Sequence, residues 1–290
     1  MSYLFRLPPL LNADSTNSDA AVVGLQAMHV LRGEWSPFLW GSGYQTSVDS
    51  LVAAAFFAVL GPTPRALMVS ALTLHVALTL LAFATVRRHL DAPRAFIATL
   101  PVVLTASSVH TYALYPPRQA SLTLAMAAFF AFDRAAFAAR AWPWIAAGAV
   151  SFGLAVYADP YPMVLAPVVL GYGLWAAVRA RPRAPGLAAL ALGSLVGQIP
   201  LALLRRAPGA NPGPLGLDPK VVGHNWRLLV DECLPWALST KVYYAKHVMD
   251  YSPWDAPGWV HALLVAAAIV LGALVASGLG LALVRSIPAR

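Results

Sequence analysis

The fold is decided by residues Ala66 to Val86, which read ALMVSALTLHVALTLLAFATV and contain no formal charge. A helix needs about 20 mostly apolar residues to cross a bilayer, and this run is long enough. The composition of the 290-residue chain agrees, because 59% of the residues are hydrophobic, 11% are charged and the mean hydropathy is +0.65. Soluble chains carry about 25% charged residues. The sequence therefore excludes a disordered chain and an ordinary cytosolic domain, and predicts an integral membrane protein.

Further apolar segments extend this prediction to an all-α polytopic membrane protein with seven transmembrane helices. The other six spans are Ala95 to Leu114, Ala120 to Phe137, Trp144 to Tyr157, Tyr161 to Val178, Gly186 to Leu204 and Val260 to Val284. We expect Val48 to Leu60 to form an interfacial helix that Asp49 caps. Four parts follow: an external loop (1–65), a six-helix bundle (66–204), a second external loop (205–259) and a last helix with a cytoplasmic tail (260–290).

The basic residues predict the orientation of these spans. If the Arg87–Arg88 end is cytoplasmic, most arginines of the short connections are cytoplasmic, and the opposite connections contain only Arg65 and Arg118. This is the positive-inside pattern, so the net charge of +8 indicates topology rather than nucleic-acid binding. Apart from Asp91 and Asp133, the acidic residues fall on the external side. We therefore expect the functional site on that side.

The first external segment contains the most informative pattern. Residues 19–34 read DAAVVGLQAMHVLRGE, and an aromatic stretch follows them. Ser18 or Asp19 is a natural N-cap and Gly33 a natural end, so we expect a short amphipathic helix resting on the membrane. One carboxylate, Asp19, lies at the beginning of this helix, and another, Glu34, lies at its end.

This pattern resembles the first periplasmic loop of the C-type membrane glycosyltransferases, such as protein mannosyltransferases and lipid A aminoarabinose transferases. The resemblance continues through FFAVLGP at residues 56–62 and, more weakly, GLAVYADP at residues 153–160. It implies transfer of a sugar from a polyprenyl-phosphate carrier to a lipid, glycan or protein acceptor, at the external face of a bacterial inner membrane. Asp19 is followed by Ala20, where these enzymes commonly have a second acid. They also have a spanning helix before this loop and further spans later, so we expect a truncated or reduced homologue.

The resemblance implies roles for three carboxylates. Asp19 occupies the acidic position of the family and is the candidate base, which takes a proton from the acceptor. The alternative is that Asp19 only caps its helix. Glu34 is a second catalytic candidate, with a helix end paired with Arg32 as the alternative. Asp159 precedes Pro160 in a tight external turn, where it either faces an acceptor or a metal or serves only the turn.

Arg118 is the candidate ligand for the donor phosphate. It ends the stretch Tyr115-Pro116-Pro117-Arg118 directly before a predicted span, so its guanidinium would face a lipid headgroup near the start of that helix. The alternative is a snorkelling arginine at the interface. Tyr115 belongs to the same stretch, and His110 with Tyr112 would line the pocket. A satisfied core histidine is the alternative for His110.

Other functions and ligands stay open at this point. We expect no cofactor, although participation of a divalent metal is undecided. The one cysteine, Cys233, can form neither an internal disulfide nor a thiolate metal site. Basic and aromatic residues in 205–259 indicate either contact with anionic membrane lipids or a sugar and phosphate pocket. The alternatives to a transferase are a lipid or solute transporter or flippase, and a non-catalytic homologue.

Overall fold

The computed structural model describes residues 1–14, 16–104, 113–207, 209–210 and 219–228, and the single positions 259 and 266. The described α-helices are α1 (Ser2–Phe5), α2 (Leu7–Leu11), α3 (Ser18–Leu31), α4 (Val48–Leu60), α5 (Pro64–Val86), α6 (Ala92–Val103), α7 (Gln119–Phe137), α8 (Trp142–Ala158), α9 (Ala166–Arg179), α10 (Arg183–Leu204) and α11 (Pro219–Leu228). A 3-10 helix, Tyr161–Leu165, leads into α9. The chain divides into two compact units, and α1 to α10 belong to the first while α11 belongs to the second.

Four of the described helical segments are long and apolar enough to cross a membrane, and all four fall on predicted spans. They are Pro64–Val86, Gln119–Phe137, Tyr161–Arg179 and Arg183–Leu204. The protein is therefore an all-α protein with the helices of an integral membrane protein. Seven spans are not confirmed, because α6 has only 12 residues and α8 has 17. The last predicted span, which starts at Val260, lies outside the described residues.

Helix α6 ends earlier than the sequence predicted. The predicted span continued to Leu114, whereas the helix ends at Val103, shortly after an internal proline, Pro101. Proline lacks an N–H and weakens the helix around it. Two carbonyls at this helix end accept hydrogen bonds from other parts of the chain. His75 Nε2 donates to Val102 O at 3.1 Å, and an Arg6 guanidinium nitrogen donates to Val103 O at 2.9 Å.

The N-terminal helices α1 and α2 pack against the middle of α5. The Tyr3 hydroxyl lies 2.6 Å from the Thr73 hydroxyl, about 14 Å along α5 from its first residue. Arg6 is fully buried and also donates to Ser2 Oγ at 2.9 Å. The first residues of the predicted external loop are therefore packed against a helix of spanning length.

The long helices pack closely through small residues. A Cβ atom added to Gly153 of α8 would lie 2.5 Å from the Cα atom of Gly197 in α10. The fully buried Phe132 of α7 lies against Gly148 of α8 and Gly173 of α9. Small residues let helix backbones approach closely, which is the usual basis of helix association in membranes.

A buried carboxylate near the end of α7 connects this helix to α9 and to the turn after α5. Asp133 of α7 is fully buried and forms an ion pair with Arg88 at 2.7 Å. His89 Nε2 lies 2.7 Å from Asp133 Oδ1, and the Tyr172 hydroxyl donates to the same oxygen at 2.9 Å. The turn after α5 is thus fastened to α7 and α9. Asp133 is one of the two acids that the sequence placed on the side of the arginine-rich turns.

We predict that Gly153→Ala lowers the unfolding midpoint of the detergent-purified protein, because the new methyl group forces α8 and α10 apart. Overpacking of this kind costs about 1–3 kcal/mol. Gly171→Ala is the matched control, since no atom of a neighbouring group lies within 4 Å of a Cβ at that helical glycine. Equal midpoints for the two variants would contradict the close packing of α8 on α10.

Candidate functional site

The candidate site lies where the stretch Tyr115–Arg118 meets the ends of several helices. The Tyr115 hydroxyl donates a hydrogen bond of 2.7 Å to Asp19 Oδ2 in the first turn of α3. Arg118 Nε donates to Asp159 Oδ2 at 3.3 Å, at the end of α8. The structure therefore brings together four of the residues that the sequence singled out, from three separate stretches of the chain.

Arg118 has an unusual backbone conformation. Among the described residues it is the one non-glycine residue with a positive φ, at 77°, and it directly precedes α7. Such a conformation costs about 1–3 kcal/mol unless its surroundings hold it. The Arg118 side chain remains 35% exposed, and its guanidinium carbon lies 5.4 Å from the centre of the Tyr161 ring. An anion approaching from outside therefore has access to this guanidinium.

Asp159 orients Arg118 and closes the turn after α8. It is 2% exposed, so it faces protein rather than solvent. Its Oδ1 accepts the backbone N–H of Tyr161 at 2.7 Å, and its Oδ2 accepts from Arg118. The turn role considered from the sequence is therefore present, and it is combined with a charge pair that the sequence did not predict.

The interpretation of Asp49 as the cap of its own helix is wrong. The N-cap of α4 is Ser47, and the Asp49 side chain bonds to a different helix. Its Oδ2 accepts the N–H of Arg118 at 3.0 Å, and its Oδ1 accepts the N–H of Ala120 at 2.9 Å. Asp49 is 4% exposed and thus caps the start of α7 from within the protein. The one available sequence signal was a carboxylate in the first turn of a mostly apolar helix.

The protonation of Asp49 is shifted towards neutral pH. Burial raises the pKa of Asp49 to about 7, because the charged carboxylate loses its hydration. The two backbone N–H bonds from Ala120 and Arg118 lower the pKa and offset part of this effect. The negative charge of Asp159 raises it further. Asp49 therefore keeps its proton to a higher pH than an exposed aspartate does.

Asp19 is not the cap of α3. Asn17 is the N-cap, and its side-chain oxygen accepts the N–H of Ala20 at 2.8 Å. This differs from the prediction of Ser18 or Asp19 at that position. Asp19 lies in the first turn, where a negative charge interacts favourably with the helix dipole. Its carboxylate is exposed and accepts from Tyr115, so it is accessible for chemistry.

Buried polar contacts hold the helices around this site. Gln26 of α3 is fully buried, donates to Phe38 O at 2.8 Å and accepts from Ser50 Oγ of α4 at 3.1 Å. Thr46 donates to Ala158 O through its backbone N–H at 3.1 Å and through its hydroxyl at 3.2 Å. The aromatic loop between α3 and α4 is thereby fixed to the end of α8.

Glu34 lies away from this cluster. It follows the end of the 14-residue helix α3, about 20 Å from the Asp19 end. Its carboxylate is hydrogen-bonded to His29 Nδ1, which lowers the pKa of Glu34, with a smaller contribution from the charge of Arg32. The expected pairing with Arg32 is thus replaced by His29. The predicted pocket residues His110 and Tyr112 lie outside the described residues.

The described part of the chain offers sites for an anion and an apolar group. No group of three or more His, Cys, Asp or Glu side chains within it is arranged to hold a metal ion. Beside Asp159, a mainly apolar cleft of about 100 Å³ is lined by residues that include Tyr44, Pro160, Met163 and Arg205. The guanidinium of Arg118 suits a phosphate, and the cleft suits part of an apolar chain.

Comparisons of this chain with models of protein families, with curated proteins and with solved structures find no match. The geometry and chemistry of the residues described above therefore provide the basis for assigning a function.

We predict that Asp49 makes the stability of the whole fold decrease with rising pH. Its folded-state pKa of about 7 is above the ordinary value of 3.8, so the folded chain binds this proton more tightly than the unfolded chain. The resulting stability is complete below the ordinary pKa and is lost as the pH rises through the folded-state pKa. The midpoint temperature of unfolding in detergent should therefore decrease as the pH is raised from about 6 to about 8.

Asp49→Asn should remove most of this pH dependence, because the side chain no longer titrates. Asp14→Asn is the control, since Asp14 is an exposed carboxylate that pairs with Arg65 at 3.4 Å. If the unfolding midpoint decreases with rising pH by the same amount in Asp49→Asn and in Asp14→Asn, other groups cause the pH dependence.

Proposed function

We propose that this protein is an inverting membrane glycosyltransferase, which moves a sugar from a polyprenyl-phosphate donor to an acceptor on the non-cytoplasmic side. One observation carries the proposal. The stretch Tyr115–Arg118 contacts a candidate base, Asp19, through Tyr115 at one end, and its other end is the guanidinium of Arg118, which Asp159 orients. Proton removal and phosphate binding are the two tasks that the reaction requires of the protein.

Asp19 is the proposed base. As the acceptor oxygen attacks the anomeric carbon, an Asp19 carboxylate oxygen takes the proton of the acceptor hydroxyl. The bond between the anomeric carbon and the phosphate oxygen breaks at the same time, and its electron pair stays on the phosphate. Tyr115 is a positioning residue in this scheme, because its hydroxyl donates to Asp19 Oδ2 at 2.7 Å, whereas the bond that Oδ1 accepts from Ser18 Oγ is long, at 3.5 Å.

Arg118 is the proposed ligand of the leaving phosphate. A guanidinium presents several N–H donors in one plane and binds phosphate oxygens with charge-assisted hydrogen bonds. Its Nε donates to Asp159, which fixes the direction of the side chain, and the ring of Tyr161 lies beside it. A cation held in advance stabilises the developing negative charge without reorganisation during the reaction.

The surroundings of the site suit a lipid-linked donor. Trp35, Trp40 and Tyr44 are exposed in the loop that follows α3, as aromatic side chains are at membrane interfaces. The cleft beside Asp159 adds an apolar wall with the charged group of Arg205. These features support a polyprenyl-phosphate donor in contact with membrane lipids, and they leave lipid, glycan and protein acceptors open.

A transporter or flippase is the second candidate function, and one observation favours it. Helix α6 ends at Val103, and the fully buried Arg6 binds its terminal carbonyl. Interrupted helices and buried charges are typical of substrate sites in membrane transporters. A transporter would move the labelled lipid between leaflets of a vesicle without forming a glycosylated product, so one assay separates the two functions.

We predict that Asp19→Asn reduces sugar transfer by about 100-fold or more, because it removes the general base. The assay incubates the purified protein in vesicles with radiolabelled polyprenyl-phosphate sugars and mixed lipid, glycan and protein acceptors, and measures labelled product. Asp14→Asn is the matched control, since it changes an exposed carboxylate of the same segment that is paired with Arg65. Full transfer by Asp19→Asn would exclude the base role.

We also predict that Arg118→Ala reduces transfer more than Arg118→Lys does. Lysine keeps the positive charge but loses the planar donors that contact both Asp159 and a phosphate. Arg65→Ala serves as the control, because Arg65 is another external arginine and pairs only with the exposed Asp14 in the described hydrogen bonds. If the wild-type protein gives no labelled product with any donor, the remaining alternatives are the transporter and a non-catalytic homologue.

A further inference from the structure

We propose that protonation of Asp49 loosens Arg118, so that the site binds anions more weakly in acid than in alkali. This regulation deepens the proposed function and rests on it only in treating Arg118 as the phosphate ligand. Asp49 is a positioning residue in this scheme, because it is buried and reaches Arg118 through the backbone.

The geometry gives Asp49 control over the conformation of Arg118. Each carboxylate oxygen of Asp49 accepts one backbone N–H, from Arg118 at 3.0 Å and from Ala120 at 2.9 Å. These bonds hold the residue whose φ of 77° is otherwise unfavourable. Protonation removes the negative charge from the carboxylate, so the two N–H bonds are no longer charge-assisted and are weakened. The backbone of Arg118 then has less support for its left-handed conformation.

The expected direction of the pH dependence follows from how the two N–H bonds change the pKa of Asp49. The two N–H bonds lower the pKa of Asp49, so binding of a proton must weaken these bonds by the same free energy. Burial acts in the opposite direction, but it is shared by the tight and loose forms as long as Asp49 stays buried. The negative charge of ionised Asp49 also repels an anion at Arg118, so the loss of backbone support in acid has to outweigh the loss of this repulsion. Global unfolding hydrates Asp49 and therefore shows the opposite pH dependence.

The surroundings of Asp49 contain few other groups that would produce this effect. Arg118 acts on it through its backbone N–H at the start of α7, and Asp159 acts on it through its charge at the end of α8. From α3 and α5, the buried residues packed with α4 are the apolar Ala20, Val23, Ala27, Ala66 and Leu67. The neighbouring buried pair, Ser50 with Gln26, carries no charge.

Hydrogen exchange of the wild-type protein tests the proposal without a variant. We expect the protection of the Arg118 and Ala120 amides, corrected for intrinsic rates, to fall about three- to tenfold from about pH 8 to about pH 6, which corresponds to one net hydrogen bond. The amide of Ala20 is the internal control, because it is capped by Asn17, whose side chain does not titrate. An equal change in amide protection at the starts of α7 and α3 would overturn the proposal.

Anion binding provides the second test. Sulfate is the probe, since its charge is constant over this range, and its effect on the unfolding midpoint reports binding. We expect sulfate to stabilise the wild-type protein and Asp14→Asn more at about pH 8 than at about pH 6, and Asp49→Asn equally at both. A pH-independent effect in the wild-type protein would overturn the regulation. A pH-dependent effect that survives in Arg118→Ala would overturn the assignment of Arg118 as its target.

These outcomes are distinguishable from failure of the proposed function. A protein that transfers no sugar but binds sulfate through Arg118 in a pH-dependent way retains the regulation and loses the transferase function. A protein that transfers sugar while its amide protection and sulfate binding do not change with pH retains the function and loses the regulation.

Discussion

Helix ends that stop inside the bundle need hydrogen-bond partners, and this requirement determines how the rest of the chain is arranged. Backbone groups left unbonded in apolar surroundings cost several kcal/mol each, in the range of about 2–7. Asp49 supplies acceptors to the start of α7, and Arg6 supplies a donor to the end of α6. Thr46 does the same for the end of α8. Each partner lies far away in the sequence, so these bonds also fix the N-terminal region and the aromatic loop.

The charged residues at the start of α7 and the end of α8 also form the candidate site. Asp49, Arg118 and Asp159 are connected by hydrogen bonds, and with both carboxylates ionised the cluster would have a net negative charge. Burial of an uncompensated charge is costly, so the system reduces the cost by protonating one acid. Burial of the Asp49 carboxyl is the main cause that raises its pKa to about 7, and the charge of Asp159 makes a smaller contribution. The cap of a helix and the orientation of a cation are thus coupled through one proton.

The sequence predicted the features that depend on local pattern. Helices α5, α7 and α10 and the segment Tyr161–Arg179 follow from apolar runs of spanning length, and α4 has the predicted bounds. The end of α6 and the burial of Arg6 depend on contacts across the fold, which hydrophobic periodicity does not reveal. The same holds for the site. Tyr115 and Arg118 were selected from their stretch, but their bonds to α3 and α8 join residues distant in the chain.

The packing of α3 also explains why one acid, and not two, begins this helix. Ala20 is 2% exposed and belongs to the apolar cluster that α3 forms with α4 and α5. A carboxylate at this position would enter apolar packing without a partner, at a large desolvation cost. The exposed Asp19 carries the charge of this turn, and its neighbour is a phenol, Tyr115, rather than a second carboxylate. Under the proposed function, proton removal depends on this single acid and on the tyrosine that orients it.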